Sequence, residues 1–71
     1  MNRLKYYRTH KGMTQTELAE KSGVVQTDIS RAEKGVKDLK GMNWASIARV
    51  LDCTVDALLG ATEQRGEENG K

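Results

Sequence analysis

One stretch, Thr14 to Gly35 (TQTELAEKSGVVQTDISRAEKG), limits the folds open to this chain more than any other. Its first half opens with a complete helix-start signal. Thr14 is the N-cap, and Glu17, three residues on, can return a hydrogen bond to the Thr14 backbone, which makes a capping box. Met13 and Leu18 occupy the two positions of a hydrophobic staple around that cap. Together these features stabilise a helix start by about 1–2 kcal/mol. A helix over about 15–22 follows, with Leu18 and Ala19 inward and Glu20 and Lys21 outward. Gly23 ends it, because glycine tolerates the positive φ of a sharp turn. Only Gly23-Val24-Val25 separates this helix from the next, over about 26–34, so the second must leave the first at a steep angle. Ile29 and Ala32 form its inward stripe. Gln26, Thr27, Ser30, Arg31 and Lys34 are left outward.

The rest of the chain reads as support for that pair. Met1 to Lys11 is expected to form a first helix with Leu4, Tyr7 and Lys11 on one face, ended by Gly12. VKDLKG, Val36 to Gly41, is a loop whose Leu39 tucks under the domain. A fourth helix carries Trp44, Ile47, Ala48 and Leu51 on one face, with Asn43 as a candidate N-cap. Thr54 caps a short last helix, Val55 to Leu59, in which Val55, Leu58 and Leu59 close the core and Gly60 ends it. Residues 1–60 therefore form one domain. The tail, 61–71, lacks apolar periodicity and is expected to be a disordered polar segment.

Seventy-one residues without proline or phenylalanine suit one small all-helical domain. A chain this short buries only ~60% of the surface that its unfolded form exposes, so the core is small. Cys53 is the single cysteine and His10 the single histidine, which excludes an internal disulfide and a zinc cluster. Cys53 is read as a core residue and His10 as a solvated residue near a helix end. A reducing cytoplasm is the natural compartment, and no run approaches the ~20 apolar residues of a membrane span. The net charge is +2, and the acidic tail leaves +3 on the first sixty residues, which permits a nucleic-acid partner without demanding one. No carboxylate pair, nucleophile with a base, phosphate-cradling loop or metal cluster suggests catalysis. No cofactor or small-molecule ligand is implied.

Two helices of this size, crossing over a small Ala19 and wedged apart by Val24 and Ile29, can place the second helix in the ~12 Å major groove of DNA. The segment RLKYYRTHKGMTQTELAEKSGVVQTDISRAEKG, continued by IARVLDCTVDALLG, resembles the phage-repressor and Cro-like (XRE-type) helix-turn-helix domain of bacterial and phage transcription regulators. The resemblance covers about residues 2–60. It implies a compact five-helix bundle of the lambda-repressor-like type, whose third helix reads DNA. It also implies that Gln15 and Lys34 touch phosphate and that Gln26, Thr27, Ser30 and Arg31 lie on base edges. Lys37 and Lys40 are either phosphate clamps or plain loop residues. Arg8 and Glu33 match a pair that forms a largely buried salt bridge in the family, which keeps Arg8 off the DNA.

Two positions depart from the family pattern. Val25 stands where the family usually has Ser or Thr, so the third helix lacks its ordinary cap, and Thr27 could cap a helix that starts later. Asp28 suits the helix dipole, yet on a DNA-facing surface it would either repel phosphate or accept from a cytosine amino group. The expected activity is that of a sequence-specific, repressor-like regulator of double-stranded DNA. The expected operator is palindromic and bound by a weak homodimer, or by one formed only on DNA. The alternative is an antitoxin or anti-repressor that uses the same fold to bind a protein, which Asp28, an acid on the face that should meet phosphate, would favour.

Overall fold

The computed structural model describes residues 2–60, and the predicted polar tail lies outside the described residues. Five helices follow one another: α1 Leu4–His10, α2 Gln15–Ser22, α3 Gln26–Glu33, α4 Gly41–Leu51 and α5 Val55–Leu59. Among the described residues there is no strand. No helix among them is long and apolar enough to cross a membrane.

α2 starts as its local chemistry dictates. Thr14 Oγ1 accepts from the Glu17 backbone N–H at 3.0 Å, and Glu17 Oε1 accepts from the Thr14 N–H at 2.9 Å. Met13 packs against the core from the staple position. Gly23 then closes α2 at φ 79°, and its N–H bonds back to the Ala19 carbonyl. The chain turns into α3 within three residues. Leu18, Val24, Ile29 and Ala32 are buried at this crossing, and Ala19 packs against them from its edge.

Leu4, Trp44, Ile47, Ala48, Leu51 and Leu58 complete a single core, and Leu39 tucks beneath it from the loop after α3. Thr54 caps α5 as its sequence suggests, accepting from the Ala57 N–H at 3.0 Å. Cys53 packs half-buried against the core, and burial pushes its thiol pKa up, with Asp52 adding to the shift.

The structure departs from the sequence reading in four places. α1 begins at Leu4 rather than near Met1. The Arg3 N–H is drawn to the Leu58 carbonyl at 2.7 Å, and Asn2 turns its amide to Ala32 while its Oδ1 accepts from the Leu4 N–H. Lys11, placed on one helical face with Leu4 and Tyr7, is exposed because α1 has ended one residue before it. α4 starts at Gly41, not after Asn43: the extended Lys40 supplies the carbonyl that takes both the Asn43 and Trp44 N–H groups. Finally, Leu59 is 38% exposed, because a five-residue helix turns only one narrow stripe inward, filled here by Val55 and Leu58.

The turn at Gly23 yields a direct test. A Cβ built there meets no atom within 4 Å, so the position requires glycine only through its positive φ. Gly23→Ala is expected to lower stability by about 1 kcal/mol, the left-handed penalty being partly offset by a less flexible unfolded chain. Urea unfolding should show a lower midpoint with an unchanged slope.

Candidate nucleic-acid interface

α3 divides cleanly into two faces. Ile29 and Ala32 are fully buried, while Gln26, Thr27 and Arg31 are exposed and Ser30 lies half-buried between them. The helix begins at Gln26 with Val25 as its N-cap and without a side-chain capping bond. The later start on Thr27 is therefore not used, and Gln26 sits at the first helical position with its side chain outward. Lys34 and Lys40 are exposed at the end of α3 and just before α4. Arg31, Lys34 and Lys40 form no ion pair among the described residues.

Beneath this face lies a buried charge network. Arg8 Nε donates to Glu33 Oε2 at 2.5 Å and Nη2 to Oε1 at 3.1 Å, with the two side chains only 10% and 4% exposed. Arg8 Nη1 donates to the Met13 carbonyl at 2.8 Å, which ties in the chain just before α2. The Glu33 hydrogen bond raises the Arg8 pKa against the lowering effect of burial, so the guanidinium stays charged. Arg8 and Glu33 hold helices together, and neither faces solvent.

The network continues outward. Gln15 Nε2 donates to Glu33 Oε1 at 3.0 Å, and Gln26 Nε2 lies 3.4 Å from Gln15 Oε1. A primary amide has two N–H donors. Gln15 thus keeps one donor for an external acceptor. Gln26 keeps one donor and its carbonyl oxygen, the pair of groups that matches the N7 and N6 edge of adenine.

Asp28 and Asp38 both take definite partners. Lys37 Nζ donates to Asp28 Oδ1 at 2.8 Å, so neither stands alone. Asp38 Oδ1 accepts from the Trp44 indole N–H at 3.2 Å and from the Leu39 N–H at 2.9 Å. Sequence reasoning missed both pairs, together with the bond from Asn2 to the Ala32 carbonyl. Trp44 carried a usable signal: a buried indole N–H needs an acceptor, and Asp38 is the acid nearest to it in the chain. On the outer face of α1, Arg3 stacks 4.2 Å from the Tyr6 ring centroid, and His10 stacks on the same ring at 4.0 Å.

Removing one partner of a buried ion pair strands the other in the core and costs ~3–5 kcal/mol, a large share of a small domain's stability. Glu33→Ala is expected to unfold the domain or to lower its melting midpoint severely. Replacing both residues, as Arg8→Met with Glu33→Leu, should recover much of the loss. Thermal unfolding followed by circular dichroism checks both, and additive losses in the double variant would contradict the coupling.

A family profile described as Helix-turn-helix matches residues 4–58. The chain is 33% identical over 63 residues to the HTH-type transcriptional regulator SinR of Bacillus licheniformis, covering 87% of this chain and 57% of that protein. It is 36% identical over 58 residues to SinR of Bacillus subtilis (strain 168), covering 80% and 52%. It thus spans a little over half the length of these relatives. Among solved structures, the N-terminal DNA binding domain of SinR from Bacillus subtilis superposes with a TM-score of 0.76 at 36% identity, covering 80% of this chain and 84% of that one. A SinR/SinI protein complex superposes at 0.79 with 33% identity, covering 89% and 62%. The five helices match that all-α, lambda-repressor-like architecture, and the chain belongs to the helix-turn-helix family.

Proposed function

We propose that this domain is the DNA-reading part of a sequence-specific transcription regulator, with α3 in the major groove of double-stranded DNA. The observation that carries this is the split character of α3. One face is wholly buried and fixed by Glu33, and the other presents Gln26, Thr27, Ser30 and Arg31. Those are the donor and acceptor types that distinguish base pairs by their groove edges. The solved neighbour at 36% identity is itself a DNA binding domain.

In this proposal Gln26 reads adenine with the carbonyl and the amide hydrogen that Gln15 leaves unused. Arg31 reads guanine through two parallel hydrogen bonds, and Thr27 and Ser30 contact neighbouring edges. Gln15, Lys34 and Lys40 meet phosphates and set the docking register without reading sequence. Two such domains would engage half-sites about one helical turn apart on a palindromic operator, as a weak homodimer or as a pair formed only on DNA. The antitoxin or anti-repressor alternative is favoured by Asp28, an acid on the face that would meet phosphate. The Lys37 ammonium lies 2.8 Å from that carboxylate and offsets its charge, which favours the DNA reading.

Arg31→Ala is expected to weaken binding to a selected operator by ~1–3 kcal/mol and to relax preference at one base position. Selection from a random duplex library with both proteins checks this. An unchanged base preference in the variant would remove Arg31 from the reading set.

A further inference from the structure

Asp28 stands in the first turn of α3, one helical turn before Arg31 and next to Thr27. A duplex set against this helix carries one negative charge per ~1.7 Å of its axis. An acid at this place opposes docking unless a cation accompanies it. Lys37, three residues beyond Lys34, supplies that cation at 2.8 Å. The pair is superficial, with side chains 46% exposed for Lys37 and 27% for Asp28, so water and salt reach it.

The base from which Lys37 reaches is fixed. Its neighbour Asp38 binds the Trp44 indole at 3.2 Å, and Leu39 is buried to 6% exposure. The loop therefore need not move for the ammonium to change partner, since rotation of the side chain is enough. Lys40 lies in the same recess but makes no ion pair among the described residues, so of the two loop lysines only Lys37 is held by an acid. The two lysines, alike in sequence, differ in this.

We infer that Asp28 is an internal stand-in for phosphate. Its carboxylate occupies the Lys37 ammonium and withholds it from the DNA backbone, which weakens sequence-independent binding by one cationic contact. Asp28 is thus a positioning residue that acts through Lys37 and sets how tightly the domain holds bulk DNA. This rests on the DNA-binding reading proposed above.

The test compares wild-type protein, Asp28→Asn and Asp28→Asn/Lys37→Gln on a random-sequence duplex across a salt series. Lysine acetylation is mapped by mass spectrometry with and without the duplex. The substitutions lie on the surface and leave the core intact. Asp28→Asn is expected to bind about three- to tenfold more tightly at low salt. Its salt dependence should steepen by ~0.9 in the log–log slope, one added phosphate contact. The double variant should return to wild-type affinity. The duplex should protect Lys37 from acetylation in Asp28→Asn but not in wild-type protein, whose Lys34 and Lys40 it does protect. Unchanged affinity in Asp28→Asn, or equal protection of Lys37 in both proteins, would overturn the inference. Failure of wild-type protein to retain any duplex at low salt would instead overturn the DNA-binding reading, and this inference with it.

Discussion

The ion pair between Arg8 and Glu33 is the contact on which the rest of the structure depends. It joins α1 to the end of α3, and through the Met13 carbonyl it also fixes the chain that enters α2. Three helices meet at one guanidinium and one carboxylate. A charge pair out of water gains little net energy unless its remaining donors and acceptors are satisfied. Here the Met13 carbonyl takes a further guanidinium N–H, and the Gln15 amide donates to the carboxylate. The apolar core sets that the helices pack, and this pair sets how α3 is held against α1 and α2.

In the proposed reading, the same network would couple stability to recognition. Gln15 is bound by Glu33 on one side and approaches Gln26 on the other, so the first residue of the outward face is oriented by a buried acid. Such support matters because a base-reading side chain must be held close to its productive geometry. α3 has no side-chain cap on Val25. Arg31, by contrast, is exposed and engages no ion pair among the described residues.

What could be read from the sequence divides along a physical line. The capping box at Thr14 and Glu17, the Gly23 turn and the buried stripe of Ile29 and Ala32 depend on residues a few positions apart, so local spacing discloses them. The Arg8 partner was available only through the family resemblance, because no local rule links residues 25 positions apart. The pairs formed by Lys37 with Asp28 and Asn2 with Ala32 were not legible, since each depends on how a loop or terminus folds back, whereas Trp44 offered one signal, an indole that needs an acceptor. Several lysines were near enough in sequence to answer Asp28. Only the path of the loop, pinned by Leu39, selects Lys37. The same reason explains the misplaced start of α4: Asn43 is a good cap by composition, but the extended Lys40 had already supplied the carbonyl for the first turn.

The central claim is that α3 reads bases from the major groove. Methylation interference on a duplex selected from a random library tests it most directly. Methyl groups on guanine N7 project into the major groove, and those on adenine N3 into the minor groove. N7 methylation at a few adjacent guanines is expected to block binding, while N3 methylation of neighbouring adenines is not. Interference from the minor groove alone, or a selection that yields no common sequence, would contradict it.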